Sequence, residues 1–189
     1  LNSGQICLCG SRVLVHSSIY DKFMDIYLQQ LKEFKIGPVI SEQHRSKVLS
    51  YIELAKKEGG QILAGGNVPD KTGSWIEPTV IAGLSHTSRT ATEEIFGPVV
   101  TVHKFDTDQE AIEMANCTQY GLAGSVWSKT RGREVAEKIE SGMVWVNTWL
   151  HRDLRVPFGG VKDSGVGREG GMWSISFFSE AVNICVMED

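Results

Sequence analysis

The run Val99-Val100-Thr101-Val102-His103-Lys104-Phe105 is followed almost at once by Thr107-Asp108-Gln109-Glu110. The first part is β-branched and alternating, as a strand packed in a sheet requires. Thr107 and Glu110 stand at the spacing of a capping box, which predicts a helix from there through Ala115. A strand running directly into a capped helix is the unit from which α/β layers are built. On the N-terminal side, Arg12 to Val15 is a short apolar run suited to a buried strand. Ser17 or Ser18 caps a predicted helix with Ile19, Phe23, Ile26, Tyr27 and Leu31 on one face, broken by Gly37-Pro38. Ser41 opens a second helix with Val48, Tyr51, Ile52 and Ala55 as its apolar stripe, ended by Gly59-Gly60. Gln61 to Ala64 reads as a strand, and residues 67–74 as a polar loop. Trp75 to Ile81 reads as a further strand, expected at a sheet edge because Pro78 interrupts it.

On the C-terminal side, Leu122 to Trp127 and Met143 to Asn147 are strands flanking a helix over residues 130–140. A glycine-rich loop follows from Pro157 to Gly171, then a short helical turn and a final strand, Ala181 to Met187. Strand and helix alternate at least three times. The fold class expected is α/β, a largely parallel open sheet with helices on both faces. No fixed-period repeat is present.

The chain has 189 residues, 41% hydrophobic and 22% charged, with a formal net charge of −4. That length and composition suit a globular unit with its own core. The mild acidity gives no electrostatic pull toward nucleic acid or an anionic membrane, and neither is an expected partner. No run reaches the length of a membrane span, and no signal peptide opens the chain. Four cysteines are too few for a disulfide framework, so a reducing, cytoplasmic compartment is expected. The 20 glycines exceed the usual level of about 7%, which implies many turns or close backbone approaches. Leu1 opens the chain without start-like features, so the sequence reads as the middle of something larger.

Several clusters could carry chemistry. Cys7 lies in Gly4-Gln5-Ile6-Cys7-Leu8-Cys9, where a glycine lets the backbone approach a ligand and a thiolate could attack a carbonyl carbon. The competing reading makes Cys7 and Cys9 small buried hydrophobes. Cys-x-Cys with His16 does not match zinc spacing, and no metal is expected. Gly165-Val166-Gly167-Arg168-Glu169-Gly170 matches a dinucleotide fingerprint by letters. It lacks the preceding buried strand and the following βαβ unit, so the glycines are assigned to close backbone packing. Glu93-Glu94 before a strand could serve acid–base chemistry or hold ribose hydroxyls; alternatively, one is solvated and the other hydrogen-bonded. In Arg152-Asp153-Leu154-Arg155, either arginine suits a carboxylate ligand, or both pair locally with Asp153. His44, His86 and His151 have no metal-like spacing. His16 and His103 sit in strand patterns.

Taken together and in this order, NSGQICLCGSR, EEIFGPVV, YGLAGSVW, SGMVWVN and PFGGVKDSGVGRE resemble the aldehyde dehydrogenase superfamily over essentially the whole chain. The run WVNTWLHRDLRVPFGGVKDSGVGREGG is similar, more narrowly, to the muconic semialdehyde group of that family. The resemblance implies a catalytic domain over residues 1–165 and a C-terminal segment over residues 166–189 whose strand pairs with a neighbouring subunit. It makes Cys7, not Cys9, the nucleophile. It implies NAD as cofactor, with NADP left open, Glu94 at the nicotinamide ribose, Phe96 beside the ring and Lys47 near the adenine ribose. Arg152 would bind a substrate carboxylate, with Arg155 as a second candidate; Phe158 would line the substrate tunnel, and Asn147 would support the site. The implied partners are a small aldehyde, such as an aminomuconate-type semialdehyde, and further copies of the chain in a homodimer or homotetramer. The family's dinucleotide-binding domain, its general-base glutamate and the asparagine completing its oxyanion hole have no counterpart in this sequence. Family members also carry about ten more residues before Gly37, in a loop of the kind that tolerates length change. An alternative reading is a catalytically incomplete unit that serves folding or assembly; a thiol hydrolase built on Cys7 is another, though no motif supplies its base.

Overall fold

The computed structural model describes residues 1–188. The chain divides into two compact units, the first ending at Gln119 and the second beginning at Tyr120.

The first unit holds strands β1 (Arg12–His16), β2 (Gln61–Ala64), β3 (Thr79–Ala82) and β4 (Val99–Phe105), with helices α1 (Tyr20–Leu31), α2 (Glu42–Lys57), α3 (Arg89–Thr92) and α4 (Asp108–Asn116). The strands form one sheet in the order β1-β4-β3-β2. β4 pairs parallel with β1 and with β3, while β2 joins β3 antiparallel. The sheet is therefore mixed, with parallel pairing at its centre. Alternation along β3 splits the core. Ile81 joins Val48, Ile52 and Ala55 of α2, whereas Val80 joins Met24 of α1 with Val15 and Val102. Successive strand side chains point to opposite faces, so the two apolar helices cover opposite sides of the sheet.

The helix signals act much as their chemistry demands. The Ser41 hydroxyl accepts from the His44 N–H at 3.1 Å and starts α2. Thr107 Oγ1 accepts from the Glu110 N–H at 3.2 Å, but the Glu110 carboxylate reaches back to the Asp106 N–H at 2.7 Å, one residue before the expected donor. His16, not a serine, opens the α1 region: its Nδ1 accepts from the Ser18 N–H at 3.1 Å, and a 3₁₀ turn over Ser17–Ile19 precedes the helix. The strand expected over Trp75 to Ile81 begins only at Thr79, and it is interior, between β4 and β2. Pro78 stands just outside the ladder, where its missing N–H costs nothing, and the Thr79 N–H reaches the Pro98 carbonyl at 2.8 Å.

The second unit contains β5 (Tyr120–Gly121), β6 (Ala123–Val126), α5 (Gly132–Ala136), β7 (Met143–Val146), β8 (Val161–Lys162) and α6 (Gly171–Phe178). β6 and β7 pair parallel across α5, and β5 pairs antiparallel with β8. The helix expected over residues 130–140 is shorter. After Ala136 its bonds tighten to i→i+3, from Lys138 to Val135 and from Ile139 to Ala136, before Gly142. A Cβ on Gly142 would lie 1.7 Å from the Gly159 carbonyl oxygen, so only glycine admits that contact. The final strand expected over Ala181 to Met187 is not formed. Those residues carry no regular structure, and Val182, Ile184, Val186 and Met187 are exposed. A strand exists only when an edge pairs with it, and none of the described residues does so. Among the described residues, no helix is long and apolar enough to cross a membrane, and no cluster of three His, Cys, Asp or Glu could hold a metal ion.

Candidate active site

Cys7 lies in a turn closed by the Cys9 N–H to the Ile6 carbonyl at 2.9 Å. Its side chain is exposed, and no hydrogen bond engages its backbone N–H among the described residues. Cys9 is half-buried, its thiol turned to the Leu1 carbonyl at 3.6 Å. The chain reaches Cys7 through three consecutive residues in the left-handed region, Asn2, Ser3 and Gly4, with φ of 46°, 53° and 77°. For a non-glycine residue this conformation costs roughly 1–2 kcal/mol. The turn is held by side chains. The buried Ser3 hydroxyl donates to the Gly37 carbonyl at 2.8 Å, and Gln5 donates to the Asn2 carbonyl at 3.0 Å while accepting from the Ile40 N–H at 2.8 Å.

Gly4 brings this turn onto the Glu93–Pro98 loop. A Cβ at Gly4 would stand 2.0 Å from the Gly97 carbonyl oxygen, so the two backbones touch where no larger residue fits. The cysteine turn and the loop bearing Glu94 and Phe96 are thus packed on each other within the first unit. Phe96 is itself left-handed, at φ 61°.

The two glutamates of this loop differ sharply. Glu93 accepts from Tyr51 at 2.8 Å and pairs with Arg89 at 2.7 Å, which together hold its carboxyl below the usual range, Arg89 contributing most. The Glu94 side chain is exposed and has no protein partner among the described residues. It is the carboxylate free to accept from a ligand's hydroxyls. Lys47 donates to the Glu94 backbone carbonyl at 3.2 Å, its ammonium lying 5.9 Å from the Tyr51 ring centroid. Sequence reasoning missed His44 as a site residue: it donates from Nε2 to the Phe96 carbonyl at 2.7 Å, with the two rings edge-on at 6.3 Å. Its spacing three residues before Lys47 on a capped helix was the available signal.

The remaining candidates belong to the second unit. A cleft of about 280 Å³ is lined there by Met143, Trp145, His151, Arg152, Leu154 and Phe158, among others. Arg152 stacks its guanidinium 4.4 Å from the Phe158 ring centroid and has no carboxylate partner among the described residues. Arg155 is committed elsewhere. Its guanidinium and its backbone N–H both engage Asp153, an ion pair that lowers the Asp153 pKa and raises that of Arg155. Trp145 Nε1 donates to the His151 carbonyl at 2.9 Å and ties down the residue before Arg152. Phe158 is fixed by paired backbone bonds with Glu169, each 2.8 Å. Asn147 is exposed, and its side-chain amide is engaged by its own chain: it donates to the Ser128 carbonyl and accepts from the Ser128 N–H, both at 2.9 Å.

Residues 1–184 match the aldehyde dehydrogenase family. The chain is 50% identical over 206 residues to 2-aminomuconic 6-semialdehyde dehydrogenase from Pseudomonas sp, covering 100% of this chain and 42% of that protein. It is 44% identical over 204 residues to 2-aminomuconic semialdehyde dehydrogenase from Homo sapiens, covering 98% of this chain and 42% of that one. Its backbone superposes on betaine aldehyde dehydrogenase from Staphylococcus aureus, solved in complex with NAD+, with a TM-score of 0.90 at 44% identity, over 94% of this chain and 38% of the other. The chain thus spans about two-fifths of the length of these relatives. The Pseudomonas alignment runs over 206 positions against 189 residues, a difference of 17, so interior positions of the relative have no residue here. The shortening expected before Gly37 is of about ten residues, and the alignment length does not assign the 17 positions to that loop. The chain therefore belongs to the aldehyde dehydrogenase family.

Proposed function

We propose that this chain supplies the catalytic part, residues 1–165, of a longer NAD-dependent aldehyde dehydrogenase that oxidises a carboxylated semialdehyde of the aminomuconate type to its acid. The observation that carries the reading is the contact of Gly4 with Gly97, which joins the turn of an exposed thiol to the loop of a free carboxylate. The Cys7 sulfur, as thiolate, adds to the aldehyde carbon and forms a tetrahedral oxyanion. The unengaged Cys7 N–H is a donor for that oxygen. NAD, when bound, supplies the hydride acceptor that turns this adduct into a thioester on Cys7. Water then cleaves the C–S bond, releasing the acid and the thiol. The free Glu94 carboxylate suits the cofactor's ribose hydroxyls, the Phe96 ring suits its nicotinamide, and Lys47 is a further candidate contact. NADP in place of NAD is compatible with these residues.

For the substrate, the unpaired Arg152 beside Phe158 fits a carboxylate at the end of an unsaturated chain, and Arg155 is the weaker candidate because Asp153 already holds it. The names of the relatives, which act on muconic semialdehydes, point the same way. Asn147 serves the site as a structural support. The C-terminal segment, residues 166–189, is assigned to pairing with a second copy in a homodimer or homotetramer. Its exposed apolar residues, including Phe177 at 78% and Phe178 at 83% exposure, fit a covered surface.

The test is Cys7→Ser in the full-length protein carrying this chain. Reduction of NAD by a semialdehyde should fall at least ~10³-fold, the order lost when a nucleophile is removed. Turnover at the unmodified rate would refute the assignment.

A further inference from the structure

One face of α2 meets the Glu93–Gly97 loop residue by residue. Reading back along the helix, the Tyr51 hydroxyl donates to the Glu93 carboxylate at 2.8 Å, Lys47 donates to the Glu94 carbonyl at 3.2 Å and His44 donates to the Phe96 carbonyl at 2.7 Å. Between them Val48, fully buried, fills the space beside Gly97, where an added Cβ would lie 2.6 Å from Val48 Cγ2. Positions 44, 47, 48 and 51 are spaced i, i+3, i+4 and i+7, a single stripe of an α-helix. The helix is a rigid template, and the loop is laid along it.

We infer that His44 is a positioning residue for the cofactor loop: by holding the Phe96 carbonyl it keeps Phe96 in its left-handed turn and thereby sets the direction of the Phe96 ring. Three observations combine here. Phe96 has φ 61°, a conformation that a bulky residue keeps only when its surroundings impose it. His44 makes the shortest of the three polar contacts to the loop, and its ring also meets the Phe96 ring edge-on. His44 is in turn fixed in the first turn of α2, where its N–H is capped by Ser41. Because a carbonyl only accepts, His44 Nε2 carries the proton of this bond. Glu94 lies two residues upstream, and its own carbonyl is held by Lys47, so α2 grips the loop at both positions. This inference rests on the reading of Glu94 and Phe96 as cofactor contacts.

The experiment compares His44→Ala and His44→Gln in the full-length protein. Hydrogen exchange across residues 93–98, without cofactor, reads the loop directly. Calorimetric titration with NAD reads its consequence. His44→Ala should raise exchange across the loop and weaken NAD binding about 10-fold, with a smaller change in the KM for aldehyde. His44→Gln, whose amide can donate to the same carbonyl, should restore most of both. Unchanged exchange in His44→Ala, or equal losses in the alanine and glutamine variants, would overturn the positioning role. Faster exchange in a protein whose unmodified form binds no NAD would leave the clamp standing and overturn its link to the cofactor, along with the functional reading.

Discussion

Gly4→Ala is the substitution that most directly probes how the thiol is positioned. The alanine Cβ would fall 2.0 Å from the Gly97 oxygen and 2.4 Å from its carbonyl carbon. Since such contacts are not tolerated below about 3 Å, one of the two backbones must retreat by roughly 1 Å. Gly97 has little room to retreat, because Val48 stands behind it in the core. The cysteine turn is the part that moves. Alanine also pays roughly 1 kcal/mol for the left-handed conformation that Gly4 adopts at φ 77°. Adding about 1–3 kcal/mol for overpacking gives a destabilisation of about 2–4 kcal/mol. In a full-length protein of which this chain is about two-fifths, that corresponds to a melting point lower by roughly 2–4 °C. The effect on turnover should be larger in proportion, since a displacement of about 1 Å at a reacting group can cost ~10²-fold. The assay is NAD reduction by a semialdehyde, run beside thermal unfolding, in the full-length protein. Gly10→Ala is the control, because nothing lies within 4 Å of a Cβ there. If the two variants behave alike, the packing of the turn on Gly97 is not a constraint. If Gly4→Ala melts lower but keeps full turnover, the contact is structural, and the argument from it to catalysis fails.

Two further measurements bear on other parts of the molecule. Arg152→Ala should raise the KM for carboxylated semialdehydes by about 10–100-fold and leave simple aliphatic aldehydes within about 2-fold, as expected for loss of one charge-assisted contact; Arg155→Ala should do little, and equal losses on both substrates would remove the carboxylate argument. His103 is buried on β4, and burial is the main reason its pKa falls to about 4, with the Arg12 and His86 charges adding to the effect. Between the unfolded value near 6.5 and that folded value, the unfolded chain binds the extra proton, so stability is intact above the window and is lost as pH falls through it. The loss from this one group is about 3 kcal/mol at most. Urea midpoints of the unmodified protein and His103→Gln at neutral pH and near pH 4 should therefore converge on acidification; parallel curves would mean that His103 titrates normally.

Much of the fold could be read from local pattern because local physics governs it. The Val48, Ile52 and Ala55 stripe, the Ser41 and Thr107 caps and the β-branched run of β4 state their own structure, since helix periodicity and capping operate within a few residues. The role of β3 could not be read that way. Pro78 signals an edge only if the strand includes it, and the sheet order that buries Thr79–Ala82 is set by distant partners. Ala181 to Met187 has the composition of a strand without a partner edge among the described residues, and propensity without pairing makes no strand.

The family motifs, together with Cys7, Glu94, Phe96 and Arg152 as candidates, were legible in the one-dimensional chain, because residue identity and order are properties of the sequence. Which member of each like-charged pair is available was decided only by the tertiary structure. Glu93 is consumed by Tyr51 and Arg89 while Glu94 stays free, and Arg155 is consumed by Asp153 while Arg152 rests on Phe158. Neighbouring residues of equal charge look alike to any local rule. What separates them is the partner each meets: Glu93 is held by Arg89, four residues before it, and by Tyr51, from a helix some forty residues earlier. The left-handed turn before Cys7, the Gly4–Gly97 contact and the grip of His44 on Phe96 have the same origin: each is a long-range contact that costs local conformational energy and persists because the packed core imposes it.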